Sequence, residues 1–218
     1  MSSALDFAKY FIKNGFDTQK NTFDGNMKLQ KLLFFANFIS LVEKKKPLYN
    51  DTMYAFYNGC VIESVRLRYK YDYANLYAES LKFDPDFSKD EYDVVNLTKD
   101  LLGDLSAKEL SDLNHTFDFW SSAFKHSTQD DGYKNKDMAV VSVNDILKEA
   151  HKMQLIIDQF KSNVVERQFK EVVNGVTFYY SAEFEMTDSV LAQLIEFSKE
   201  AEENVYSIYM ESDNLVIF

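Results

Sequence analysis

Residues 26–39, NMKLQKLLFFANFI, form the segment that most constrains how this chain folds. In a helical conformation its apolar side chains cover one broad face, which is typical of a helix buried inside a domain. The central members of this face are Leu29, Leu32, Leu33, Ala36 and Ile39, and Phe35, Phe38 and Val42 widen it. We therefore expect a buried helix that runs to about Glu43, with Pro47 blocking its continuation.

Three polar residues, Lys28, Gln30 and Lys31, lie in the first turn of this helix, where a simple core helix needs none of them. One interpretation is that the lysines snorkel, so that their stems are buried and their ammonium groups stay hydrated. The other is that Gln30 and the two lysines form a polar edge that fixes a neighbouring loop or a partner segment. The sequence leaves both interpretations open.

The rest of the first 162 residues is predicted to be mostly helical, since 218 residues contain only 6 Gly and 2 Pro. Capping boxes at Ser88–Glu91 and Ser106–Glu109 predict two helix starts, and a looser one at Ser142 predicts a long helix over 143–160. The segment TMYAFYN predicts a short strand before Gly59, and VIESVRLRYKY predicts a helix directly after Cys60.

Residues 163–218 have a different pattern. Asn174-Gly175, between the β-prone segments 164–173 and 176–186, predicts a hairpin with a tight turn. Thr187 or Asp188 then caps a helix to about Glu203, and NVYSIYM and LVIF predict a second strand pair, separated by residues 211–214. The predicted fold class is α+β: a helical domain, 1–162, followed by a small ββαββ appendage with an antiparallel sheet, 163–218.

The formal charge of −11 is concentrated at one end of the chain. Residues 1–163 contain 21 Lys/Arg and 24 Asp/Glu, whereas residues 164–218 contain 3 and 11. Such a chain repels phosphates, so we expect no direct binding to nucleic acid, and it suits a basic partner. A merely solvated acidic face explains the charge equally well.

Other features restrict the location and the chemistry. No apolar run approaches 18 residues, so we expect no membrane span, and the first residues lack the pattern of a secretion signal. The single cysteine, Cys60, fits a reducing cytoplasm. His115, His126 and His151 are scattered, and the glycines form no phosphate-binding loop. We therefore expect no metal, no cofactor, no catalytic residue and no enzyme activity.

Two stretches, residues 27–61 and 105–120, together resemble the Panacea domain family, which includes SocA-like antitoxins and phage-associated GepA-like proteins. The matching positions are Lys28, Leu29, Gln30, Lys31, Leu32, Leu33, Phe35, Pro47, Leu48, Ala55, Gly59, Val61, His115 and Trp120. The departures are Phe34 for Tyr, Phe56 for Trp, Asn58 for Tyr, Cys60 for Pro, Asn114 for Thr, Phe117 for Glu and Phe119 for Pro. The resemblance extends over roughly residues 4–160 and leaves out the appendage.

The resemblance implies an antitoxin that neutralises a cognate protein toxin by direct binding, and the acidic charge suits a basic toxin. It also allows a proteolytic adaptor that delivers a toxin to an ATP-dependent bacterial protease. Charge alone suggests a third role, a phage or prophage protein whose acidic surface mimics nucleic acid. The partner-binding residues implied are Lys28, Gln30, Lys31, Phe56, Gly59, His115 and Trp120. Residues 164–218 are a candidate specificity element.

His115 and Trp120 have two interpretations. They are either a core histidine and a core tryptophan, or Trp120 joins Phe117, Phe119 and Phe124 in an aromatic surface that anchors a partner. Because five residues separate them, we expect no direct stacking of Trp120 on His115 within one helix.

Overall fold

The computed structural model describes residues 2–128, 134–165, 169–181, 184–211 and 214–218. The chain divides into two compact units, Met1–Ile156 and Ile157–Phe218. The predicted boundary after residue 162 lies in the same helix as this division. The α+β class is confirmed, because helices dominate the first unit and a small sheet with one helix forms most of the second.

The helices of the first unit begin and end largely as their capping residues predict. They are α1 (Ala4–Lys13), α2 (Phe23–Glu43), α3 (Glu63–Lys82), α4 (Lys89–Leu102), α5 (Ala107–His115), α6 (Asp118–His126) and α7 (Val143–Lys148), with a short 3-10 helix at Lys136–Ala139. The next helix, α8 (Ala150–Val165), begins in the first unit and ends in the second. Ser88 and Ser106 cap α4 and α5 with complete capping boxes, as predicted. No helix in the described ranges is long and apolar enough to cross a membrane.

Helix α2 is the centre of the first unit. Every residue from Lys28 to Val42 is buried, which confirms the predicted core helix, and α2 packs against α1, α3, α4 and α5. Phe34 and Phe38 contact Phe117 and Phe119 from the α5–α6 region, with ring centroids 5.4 Å apart for Phe34–Phe119 and Phe38–Phe117. Each buried Phe contributes about 1.5–3 kcal/mol through removal of apolar area from water.

A two-stranded hairpin, β1 (Met53–Phe56) and β2 (Gly59–Ile62), packs on α2. The strand at β1 and the helix over VIESVRLRYKY were predicted, but the helix begins two residues later than predicted, at Glu63, because residues 59–62 pair with β1. No linker separates β2 from α3, so the change of structure leaves no turn signal in the sequence.

The predicted long helix over 143–160 is interrupted at Glu149, which separates α7 from α8. The Glu149 side chain is buried and accepts a hydrogen bond from the Phe119 N–H at 2.8 Å, so it satisfies a backbone donor in the first turn of α6. Contact with a distant helix therefore breaks a segment whose local pattern is continuous.

The second unit contains β3 (Phe169–Val173), β4 (Val176–Tyr180), α9 (Asp188–Phe197), β5 (Val205–Glu211) and β6 (Asn214–Ile217). The hairpin at Asn174-Gly175 and the Thr187 cap are confirmed. The all-antiparallel prediction was wrong, because β4 and β5 pair in parallel. Since α9 connects them, the chain returns to the sheet in the same direction, as in a βαβ unit.

The core of this unit is formed by Val173, Val176, Phe178, Val190, Leu194 and Ile208. Parts of the predicted strands and of the turn between the last two strands, at 166–168, 182–183 and 212–213, lie outside the described residues.

Candidate functional site: a hairpin held by three helices

Side chains of α2 bind the backbone of the β1–β2 hairpin along one edge. Lys31 Nζ donates a hydrogen bond to the Cys60 carbonyl at 2.8 Å, and the Ile62 N–H donates to Gln30 Oε1 at 2.8 Å. Lys31 and Gln30 are both buried. Gln30 and Lys31 in this apolar helix therefore form hydrogen bonds with backbone groups that a two-stranded sheet leaves unpaired at its edge.

Helices α5 and α6 hold the other groups near the turn of the hairpin. Asn114 Oδ1 accepts from the Cys60 N–H at 2.8 Å, and Ser111 Oγ donates to the Asn58 carbonyl at 3.0 Å. Trp120 Nε1 donates to the Phe56 carbonyl at 2.9 Å. The three separated sequence motifs thus meet at one structural element.

Gly59 is required where these side chains converge. Its φ is +96°, a conformation that favours glycine, and a Cβ there would lie 2.4 Å from Asn114 Oδ1 and 2.8 Å from Lys31 Cε. The glycine therefore allows both the turn and the close approach of the two side chains.

The Lys31 ammonium is buried without a carboxylate partner, since none of the ion pairs among the described residues includes it. Burial lowers the pKa of Lys31 to about 8. Burial also raises the pKa of the neighbouring Cys60 thiol to about 12, so the thiol stays protonated at neutral pH. Of the two interpretations of Lys31, the structure contradicts snorkelling, because the side chain is buried and its ammonium binds a neighbouring segment.

Lys28 lies apart from the hairpin. Its Nζ donates to the Gly103 carbonyl at 2.7 Å, at the C-terminal end of α4, and only 7% of the residue is exposed. Burial lowers the pKa of Lys28 as well. Lys28 therefore fixes a neighbouring segment, while Gln30, Lys31, Phe56, Gly59, His115 and Trp120 gather around the hairpin.

His115 and Trp120 stack directly, with ring centroids 3.9 Å apart and planes at 30°. The expectation of no stacking concerned a single helix, and here the two residues lie on different helices: His115 ends α5 and Trp120 lies in α6. Burial, followed by the charge of Lys31, lowers the pKa of His115, so its imidazole is neutral at pH 7. The predicted aromatic surface does not form as a whole, since Phe117 and Phe119 are buried.

The outer side of the hairpin forms one wall of a groove of about 820 Å³. Gln30 and Lys31 contribute to its wall from α2, Phe56 and Tyr57 from the hairpin, and Arg66 from α3. Phe124 of α6 also lines the groove, as do residues of the segment after α6, namely Ser127, Lys134, Asn135, Lys136 and Ala139. A second cavity of about 490 Å³, which includes His115 and Trp120, lies at the tip of the hairpin.

The sequence of the segment that builds this hairpin and its supports has a recognised pattern. Residues 29–121 match the family model described as "Antitoxin SocA-like, Panacea domain". The predicted resemblance is thereby confirmed, over a shorter range than expected. No curated protein and no solved structure matches the chain significantly.

Several residues of this site were not predicted. Asn114 and Ser111 bind the hairpin, and Arg66, Lys70, Lys134 and Lys136 line the groove. Asn114 stands where the family pattern has Thr, so its role could not be taken from the pattern. The lysines lie on segments that meet only in the folded chain. Their basic character within an acidic protein was the one signal available.

We expect Gly59→Ala to lower the free energy of unfolding by about 3 kcal/mol, since it combines left-handed backbone strain with steric overlap. Gly15→Ala is the matched control, because Gly15 also has a positive φ, of +78°, but open space around its Cα. The control should cost about 1 kcal/mol, from backbone strain alone. Urea unfolding of both variants measures the difference, and equal costs would show that the hairpin is not crowded at Gly59.

We expect Lys31→Met to change how stability depends on pH. The buried charge destabilises the folded state fully below its pKa of about 8, and the penalty is relieved as pH rises toward the value in the unfolded chain, about 10.4. Relative to the variant, the wild type should therefore gain up to about 3 kcal/mol between pH 7.5 and about pH 10.

The free energies of unfolding of the wild type and of Lys31→Met, measured between pH 7.5 and about pH 10, test the expectation. Both proteins contain the same tyrosines, so the effect of tyrosine titration cancels in the difference between them. Lys89→Met is the control, because the Lys89 side chain is 90% exposed. Parallel pH profiles for the wild type and Lys31→Met would contradict a buried ammonium.

Proposed function

We propose that this protein is an antitoxin that neutralises a cognate protein toxin by direct binding. The observation that carries the proposal is that the match to an antitoxin domain covers the hairpin and most of the residues that hold it. The groove beside the hairpin is our candidate for the neutralising surface. The predicted partner-binding residues then act mainly by presenting this surface, and Gln30, Lys31 and Phe56 also contribute to its wall.

The composition of the groove supports a protein partner. Phe23 and Tyr57 line it and are 69% and 78% exposed, and Met27 and Arg66 lie with them. Aromatic residues, Met and Arg are enriched in protein interfaces, and truncation of one such anchor typically costs more than 1 kcal/mol of binding free energy. Two large exposed aromatic side chains beside one groove therefore favour a docking surface.

The first test is co-expression of this chain with the product of its adjacent gene, scored by growth rescue and co-purification. We expect rescue with a stoichiometric complex. The double variant Tyr57→Ala, Phe23→Ala should weaken binding by about 2 kcal/mol or more, because it removes both aromatic anchors. Leu81→Ala, which removes a 54% exposed apolar side chain outside the groove, should bind as the wild type does.

Toxin abundance in the same cells separates neutralisation from the adaptor role. A pure neutraliser leaves the amount of toxin unchanged, whereas an adaptor lowers it only when the protease is present. Rescue that required the protease would contradict our proposal. A neighbouring product that is neither toxic nor bound would contradict it as well.

We also propose that the acidic second unit contributes to toxin specificity, because residues 164–218 carry a net charge of −8. Deletion of these residues leaves the first compact unit complete. We expect the shortened protein to keep its helical circular dichroism and to lose affinity for a basic toxin. Unchanged neutralisation by the folded, shortened protein would disprove this role.

A further inference from the structure

The groove beside the hairpin has a charge opposite to that of the whole chain. Its described lining contains five cationic residues, Lys31, Arg66, Lys70, Lys134 and Lys136, and no Asp or Glu. The chain as a whole carries a formal charge of −11. A random sample of this surface would be acidic, so the groove concentrates cations that come from α2, α3 and the segment after α6.

Most of these cations remain available to a ligand. Lys70, Lys134 and Lys136 are exposed. In the described parts of the chain, the ion pairs at the groove involve a single carboxylate: Glu63 binds Arg66 at 2.7 Å and lies 3.9 Å from Lys136. One carboxylate is shared by two cations, so the described residues of the groove carry a net positive charge.

The same groove is also apolar and aromatic. Arg66 lies over the Phe56 ring at 5.5 Å, and Lys134 Nζ lies 3.3 Å from the centre of the Phe124 ring. These contacts hold the cations beside rings that remain part of the groove wall. A matching ligand therefore carries carboxylates next to apolar side chains.

We propose that the groove binds a short acidic segment of a protein partner, whose carboxylates pair with Lys70, Lys134 and Lys136 and whose apolar side chains contact Phe56 and Tyr57. This inference rests on the proposed function and names the part of the toxin that is captured. It differs from the expectation drawn from net charge, which favours a basic partner. A toxin that is basic overall and presents one acidic segment would match both the net charge of the chain and the charge of the groove.

A peptide segment fits better than a nucleic acid strand. A nucleic acid carries a charge at every nucleotide and continues beyond the groove, where the acidic surface repels it. A short acidic segment places its few carboxylates inside the groove only. The aromatic rings could stack on bases, so a single-stranded oligonucleotide is the necessary comparison in the test.

The test is fluorescence anisotropy with the full chain and a labelled peptide of about ten residues in which Glu and Asp alternate with Leu and Phe. The matched probe has Lys in place of every acidic residue. The groove variant is K70E/K134E/K136E. The control variant, K82E/K89E/K148E, makes the same change in net charge at exposed lysines outside the groove.

We expect the acidic peptide to bind and the basic peptide not to bind. The groove variant should raise the Kd of the acidic peptide at least about tenfold, and the control variant should change it less than about twofold. Equal losses in the two variants would mean that only net charge matters and would overturn the proposal. Tighter binding of the oligonucleotide, lost in the groove variant, would overturn it in favour of a nucleic acid site.

Failure of this inference is distinguishable from failure of the proposed function. A chain that neutralises its toxin equally well with K70E/K134E/K136E, and does not bind the acidic peptide, is an antitoxin whose groove takes no acidic segment. A chain that binds the peptide in the groove and neutralises nothing supports the inference about the ligand and contradicts the antitoxin role.

Discussion

The hydrogen bond from the buried Lys31 ammonium to the Cys60 carbonyl is the interaction on which the candidate site depends. A two-stranded hairpin of four-residue strands is not stable alone, and its edge groups need partners. α2 provides them from inside the core, at the cost of burying a cation whose pKa falls to about 8. A cation retained despite that cost fixes the position and the register of the hairpin, and through the hairpin the wall of the groove.

This arrangement explains why the family pattern is scattered along the chain. Gln30 and Lys31 of α2, His115 of α5 and Trp120 of α6 contact backbone groups of one hairpin, which contains Gly59. Lys28, in the same run of α2, binds the Gly103 carbonyl instead. Movement of α2, α5 or α6 would break contacts with the hairpin. The positions of the three helices are therefore coupled, although the helices are far apart in the sequence. The matching residues therefore act mainly as a scaffold for the hairpin, and under our proposal side chains outside the pattern, such as Tyr57 and Lys70, determine which partner binds.

The sequence was sufficient where local chemistry decides structure. The apolar face of α2, the capping boxes at Ser88 and Ser106, and the Asn174-Gly175 turn predict their elements correctly. It was insufficient where distant contacts decide. Glu149 breaks a helix because α6 needs its carboxylate, and β2 forms because α2 and α5 supply its hydrogen bonds. Likewise, the cations of the groove come from segments whose meeting no local pattern encodes.

The contrast between an acidic chain and a basic groove has a physical consequence for recognition. Charges interact over about 8 Å at physiological ionic strength, so among the described residues a ligand inside the groove is affected mainly by Arg66, Lys70, Lys134 and Lys136, with Glu63 offsetting part of their charge. A partner approaching from solution first experiences the net negative charge, which repels acidic proteins as a class. A partner whose acidic residues are confined to one segment avoids this repulsion and can still place that segment in the basic groove. Two opposing fields on one small protein thus select a partner by the distribution of its charge rather than by its total.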